Sequence, residues 1–179
     1  MKLLDLVHAR TTVFPQALPL AAAVAAGMTL LAATRPHGTW LLLLPCGLGG
    51  LALWTLLEYL LHRFVLHRVE PFRRWHLEHH RTPDQPMRTP ILFSMMLLAG
   101  LAAVPLLVIG DQWLATGITL GLIAGHMAQE VTHHTLHRPG TRGGWIEARF
   151  RQHDRHHHQR PDRAYGTLTA IWDRLLGTL

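Results

Sequence analysis

Apolar residues gather into four long runs, Ala17–Thr34, Thr39–Leu61, Pro90–Ile109 and Gln112–Thr132, of 18, 23, 20 and 21 residues. A helix needs about 20 such residues to cross the hydrocarbon layer of a bilayer, so each run predicts a membrane span. The first is the weakest, being alanine-rich with Pro19 near its start. With Lys2 and Arg10 ahead of it, a cleaved signal peptide is the competing reading, but the run is long and shows no clear cleavage site. Two short breaks, "RPHG" at 35–38 and "GD" at 110–111, pair the runs into two hairpins. The segments 62–89 and 138–179 are polar by contrast. Near the end of the chain Leu168, Ile171, Trp172, Leu175, Leu176 and Leu179 recur every three or four residues, with Asp173 and Arg174 off the stripe. That spacing predicts an amphipathic helix lying against the membrane or beneath the polar segments.

Charge orients these elements. Of 17 Lys and Arg, two precede the first run, six lie in 62–89 and eight follow residue 137, leaving Arg35 alone on the hairpin side. Positive residues collect on the cytoplasmic side of a membrane, so both termini and the middle segment are expected there. The fold expected is an all-α integral membrane protein of one domain, residues 1–179, with four transmembrane helices and a cytoplasmic histidine-rich helical cap (62–89 and 138–179). Charged residues make up 16 % of the chain, against roughly 25 % in soluble domains. The net charge of +6 sits beside the spans, where it meets anionic headgroups, so no nucleic-acid partner is expected. Cys46, the sole cysteine, excludes an internal disulfide and an iron–sulfur cluster held by about four thiolates of this chain. Arginine outnumbers lysine 16 to one, which points to a GC-rich genome and a bacterial inner membrane.

Histidine is what stands out: the chain has 15. Twelve converge on the expected cytoplasmic face, and only His8, His37 and His126 stand apart. A helix turns about 100° per residue, so His76, His79 and His80, at relative positions 0, 3 and 4, share a face, as do His153, His156 and His157. His133 and His137 also share one. His62 and His67, five apart, lie about 140° from each other on a regular helix, so bringing them together needs a bend, a wider turn or ligation of different metals. Imidazole is a ligand for zinc, copper, iron and nickel, and ten imidazoles exceed one ion's coordination sphere, so two metals are the economical reading. Glu58 and Glu130 are the acids within spans two and four, where ionisable groups are costly and usually functional. Both are read as hydrogen-bond partners that fix the tautomer of ligating histidines, with direct metal ligation as the alternative. His126, Glu130, His133 and His137 form one polar stripe. Glu78 and Asp154 point away from the histidine faces and are expected in solvent.

In order and spacing, H-x4-H (His62, His67), H-x2-HH (His76, His79, His80), H-x3-H (His133, His137) and H-x2-HH (His153, His156, His157) resemble the fatty acid hydroxylase/sterol desaturase superfamily. The stretches "EYLLHRFVLH" at 58–67, "HLEHHRTPDQP" at 76–86 and "YGTLTAIWDRLLGT" at 165–178 carry the likeness over residues 55–179. The resemblance implies a dimetal centre, two iron ions that zinc can replace in purified protein, held by those ten histidines. It further implies dioxygen as co-substrate and oxidation of an unactivated C–H bond of a membrane lipid, by hydroxylation or desaturation. His134 and His158 are extra to the motifs, and Gln129 departs from the aromatic residue that relatives often carry before the acid. A fused haem domain is lacking, so electrons are expected from a separate ferredoxin or cytochrome. Carotenoid ring hydroxylases of the same group are the alternative, and the H-x3-H spacing and "WDRLLGT" ending favour the lipid side. Outside enzymes, a metal transporter would carry ligands along a path to both faces, and a structural zinc protein would close its coordination shell.

Overall fold

The computed structural model describes residues 17–34, 40–83, 85, 91–138, 140 and 143–179. The "RPHG" connection, His8, His37, Lys2, Arg10, Arg35 and Arg88 lie outside the described residues. The elements are α1 (Ala17–Ala33), α2 (Trp40–Leu60), a π-helical turn (Leu61–Leu66), α3 (Phe72–Arg81), α4 (Ile91–Ile109), α5 (Gln112–Leu136), α6 (Gly144–His158) and α7 (Ile171–Leu175). The architecture is all-helical, with no strand among the described residues.

Helices α1, α2, α4 and α5 coincide with the four apolar runs. By length and composition, one helical stretch among the described residues, Leu41–Leu66, is long and apolar enough to cross a membrane, and Ser94–Ile109 is apolar but shorter. Helix α5 has the length, but Thr116, Thr119, His126, Gln129 and Glu130 dilute its apolar character. The "GD" break makes the tight α4–α5 connection. Gly110 takes a φ of 73°, which glycine adopts freely, and the Asp111 carboxylate caps α5 by accepting from the N–H groups of Trp113 and Leu114 at 2.8 and 2.9 Å.

Helix α5 is the centre of the bundle, packed on α2, α4 and α1. Its closest partner is α2, and the reason is small residues on both sides. A Cβ at Gly121 would overlap the carbonyl of Gly47, and one at Gly50 the carbonyl of Ile118. The two backbones therefore touch, as they do where small residues line membrane-helix interfaces. Trp54, Leu98, Leu101, Leu122 and Ile123 fill the space among α2, α4 and α5. Leu41, Leu107 and Val108 face outward and are highly exposed.

The C-terminal segment departs from the amphipathic helix expected. Helix α7 is five residues long, and its burial is inverted: Asp173 is fully buried while Ile171, Leu175, Leu176 and Leu179 are exposed. The cause is hydrogen bonding. The Asp173 carboxylate is surrounded by four donors, and Gly177, at φ 69°, turns the chain so that Thr178 comes back to it.

Candidate metal centre

The π-helical turn answers the spacing problem posed by His62 and His67. The N–H of His67 bonds to the carbonyl of His62 at 3.2 Å, five residues back, and this wider turn brings residues five apart onto one face. Their rings lie 5.1 Å apart. Helices α3 and α6 lie over this end of the bundle and supply the two triplets, while α5 supplies His133 and His137 from its last turn.

The rings sort into two sets. His62, His67, His76, His80 and His156 form the first, and His79, His133, His137 and His157 group in the second. His153 joins the second, its Nε2 lying 3.0 Å from that of His137. Each triplet is thus divided. Positions 0 and 4 of the first (His76, His80) serve one set and position 3 (His79) the other; in the second triplet His153 and His157 serve the set that His156 does not. On a helix, positions 0 and 4 project almost together and position 3 diverges by about 60–100°, which suits two neighbouring centres. Where the sets meet, His80 and His157 stack with centroids 4.1 Å apart.

Contact is through Nε2 atoms. In the first set His76 Nε2 lies 2.9, 3.1 and 3.0 Å from those of His62, His67 and His80, and His67 lies 3.1 Å from His156. In the second, His79, His133 and His137 form a closed triangle with all edges 3.1 Å. An imidazole nitrogen carries either a proton or a lone pair, so hydrogen bonds cannot complete such a triangle. Converging lone pairs repel unless a cation lies among them. With a metal–nitrogen bond of about 2.1 Å, two ligands at right angles are about 3.0 Å apart and two at the tetrahedral angle about 3.4 Å. The observed edges match the former, the spacing of a five- or six-coordinate shell. The donors present therefore fit a pair of first-row metal ions.

Protonation state agrees. Burial lowers the pKa of His79 and of His156 to about 4, and burial with neighbouring imidazoles holds His76 and His153 well below the ordinary value. All are neutral at pH 7, the form that binds metal. The His62 Nδ1–H donates to the carbonyl of Tyr165, and the His156 Nδ1–H to that of Arg163, both at 2.6 Å. A carbonyl can only accept, so each Nδ1 carries the proton and each Nε2 presents its lone pair inward.

Glu58 is placed differently from the expectation. Glu58 is buried, but its carboxylate accepts from backbone N–H groups, those of Thr167 and Leu168, the latter at 3.2 Å. Its link to histidine is indirect, through the segment that carries the Tyr165 carbonyl. Glu130 sits on α5 between His126 and His133, half-buried. His126 is buried against Trp54, with ring centroids 4.9 Å apart, and belongs to neither set. Glu78 is exposed and pairs with Arg81, and Asp154 accepts from the exposed His158. Asp173, off the apolar stripe, shows nothing of its four donors in the sequence, and neither Gln152 nor the carbonyls of Arg163 and Tyr165 stand out in the residue spacing. A cavity of about 320 Å³ opens between Pro83, Leu136, Arg138 and Phe150, with His153 and His157 in its wall.

The profile of the fatty acid hydroxylase family matches residues 47–178. The dihydroceramide fatty acyl 2-hydroxylase FAH2 of Arabidopsis thaliana is 30 % identical over 140 residues, spanning 73 % of this chain and 58 % of its own. The ceramide very long chain fatty acid hydroxylase scs7 of Schizosaccharomyces pombe is 28 % identical, over 72 % of this chain and 40 % of its own. Human fatty acid 2-hydroxylase is 26 % identical, with coverages of 73 % and 38 %. The chain thus spans between about two fifths and three fifths of these curated relatives. Among solved structures, the hydroxylase domain of scs7p superposes with a TM-score of 0.74 at 22 % identity, covering 90 % of this chain and 62 % of that one. At that identity the likeness is one of fold.

Proposed function

The chain belongs to the fatty acid hydroxylase family, and from that premise we propose that it is a membrane enzyme that hydroxylates an unactivated C–H bond of a lipid acyl chain at a pair of iron ions. The observation that carries this reading is the meeting of ten imidazoles in two sets of five, nine of them linked by Nε2 distances of 2.9–3.1 Å and His157 grouped with the second set. His62, His67, His76, His80 and His156 would hold one ion and His79, His133, His137, His153 and His157 the other. Zinc, which imidazole also binds, replaces iron without supporting turnover.

Bound there, the metal pair supplies the activation of dioxygen. In balance, the C–H bond and O2 take up two electrons and two protons to give an alcohol and water; the electrons come from a separate ferredoxin or cytochrome. The chain's own residues set the conditions. Ten neutral ligands leave the positive charge of the ions uncompensated, unlike bundles that mix carboxylate and imidazole. The Tyr165 and Arg163 carbonyls hold His62 and His156 in the ligating tautomer. Burial of His76, His79, His153 and His156 limits water at the donors, and the cavity beside His153 and His157 gives small molecules a route to the second set.

A membrane setting follows from the same surfaces. Leu41, Leu107 and Val108 on the bundle and Ile171, Leu175 and Leu176 beside the histidines are exposed, a cost in water that lipid removes. We read α1, α2, α4 and α5 as four spans, with α3, α6 and α7 capping the cytoplasmic end where the arginines concentrate. An acyl substrate then reaches the centre without leaving the bilayer. The names of the relatives point to carbon 2 of the acyl chain as the first position to examine. The test is incubation of the iron-loaded protein in lipid vesicles with a reductant and oxygen, followed by mass spectrometry of the acyl chains. A product heavier by one oxygen atom is expected. Its absence at every acyl chain length supplied, with two irons bound, would overturn the reading.

A further inference from the structure

The buried Asp173 carboxylate organises the segment that orients two of the imidazoles. Its Oδ1 accepts from the N–H of Tyr165 and the hydroxyl of Thr178, both at 2.9 Å, and its Oδ2 from the Gln152 amide at 3.0 Å and the N–H of Gly166 at 2.9 Å. Four donors fill its capacity. A Cβ at Gly166 would lie 2.1 Å from the carbonyl oxygen of Thr169 and 3.0 Å from that Oδ2, so glycine is required here chiefly by the Thr169 backbone. Next along the chain, Glu58 takes the N–H groups of Thr167 and Leu168. Two buried carboxylates from different elements thus grip successive residues of one segment.

That segment presents two carbonyls to the histidines. Residues 163 and 165 face the first set, and Ala164 between them adopts a φ of 59°, a left-handed conformation that is strained for a residue other than glycine. The N–H of Ala164 is tied to the carbonyl of Thr178 at 2.7 Å, and the N–H of Thr178 to the carbonyl of Asp173 at 2.8 Å. The tight turn is held from Asp173 on both flanks. We infer that Asp173 is a positioning residue for the five-imidazole set of His62, His67, His76, His80 and His156, acting through the Arg163 and Tyr165 carbonyls on His156 and His62. The inference rests on the metal-binding reading of that set. Both imidazoles that these carbonyls hold, His62 and His156, belong to this set, so the effect falls there.

Asp173→Asn separates this role from general support. Asparagine is isosteric but turns one oxygen into an NH2 that faces two donors, so the N–H of Tyr165 or of Gly166 loses its acceptor. A second pair of variants leaves the carboxylate alone: Ala164→Val resists a positive φ and swings both carbonyls, whereas Ala164→Gly accepts it. Each full-length protein is loaded with cobalt(II) in detergent, its metal content and visible spectrum are recorded, and the metal is withdrawn with graded chelator. The native chain is expected to hold two cobalt ions. Asp173→Asn and Ala164→Val should each weaken one ion by about 10–100-fold, as loss of a partner behind a ligand does, and keep the other ion and its spectrum; Ala164→Gly should resemble the native chain. If Asp173→Asn does not fold, the Ala164 pair decides by the same criterion. A native chain that holds fewer than two ions would refute the metal reading itself. Two ions with unchanged retention in Asp173→Asn and Ala164→Val, or equal loss of both ions, would refute the role of Asp173 alone.

Discussion

Acid should open the metal-free protein well before a typical helical bundle unfolds. His79 and His156 are buried, and burial lowers each from 6.5 to about 4. Their folded pKa is depressed, so in the unfolded chain they take up protons at a pH where the folded chain cannot. The unfolded state binds more protons between pH 6.5 and 4, and stability therefore falls as pH falls through that window. A separation of about 2.5 units corresponds to about 2 kcal/mol for each residue at pH 5 and about 3 kcal/mol at pH 4. The pair together remove roughly 6 kcal/mol by pH 4, comparable with the whole stability of many domains, 5–15 kcal/mol in order of magnitude. His76 and His153, held lower still, act in the same direction. Thermal unfolding of metal-free protein in detergent, followed by tryptophan fluorescence (Trp75, Trp145 and Trp172 sit in the cap), should show the transition moving down steadily from pH 6.5 to 4. Saturating metal should delay the loss to lower pH, because an ion bound only by the folded state adds stability. A melting temperature that stays level from pH 7 to 4.5 without metal would show that the imidazoles are not buried neutral groups.

Other outcomes follow from particular contacts. His79→Ala and His80→Ala change adjacent residues of α3, yet should deplete different ions, so their cobalt spectra should differ and sum to that of the native protein; identical spectra would contradict the division of the triplet. Glu58→Ala leaves the N–H groups of Thr167 and Leu168 without an acceptor, at a cost of about 1–3 kcal/mol each, while Glu58→Gln retains one oxygen and should cost less; thermal unfolding of the two variants gives the order. Gly121→Val places a side chain against the Gly47 backbone and should destabilise the bundle by about 1–3 kcal/mol or more, read as a lower melting temperature with metal content per folded chain unchanged.

Much of this is legible in the sequence. Long apolar runs mark helices because nothing else buries that much continuous apolar chain, and α1, α2, α4 and α5 fall where the runs lie. The ten histidines were visible because helical spacing carries direction. What the spacing could not give was the partition. Residues 0, 3 and 4 share a broad face, and only the placement of a second helix decides that His79 leaves His76 and His80. Similarly, the five-residue gap of His62 and His67 posed a choice that the π-helical turn resolves. The partners of Glu58 and Asp173 were out of reach for a different reason. Glu58 accepts from backbone amides, one of them 109 residues away, and Asp173 from two backbone amides besides Gln152 and Thr178, which no side-chain pattern records. The repeat of leucines around Asp173 reads as an amphipathic helix until the four donors that bury the acid are known.

The most direct test of the account is the metal content of the full-length protein after reconstitution with iron-57 and removal of loosely bound metal, with Mössbauer spectroscopy of the same sample. The ten-imidazole arrangement predicts close to two irons per chain and, after oxidation, a magnetically coupled pair. One iron per chain or fewer at saturation, or two irons that behave as isolated ions, would contradict it.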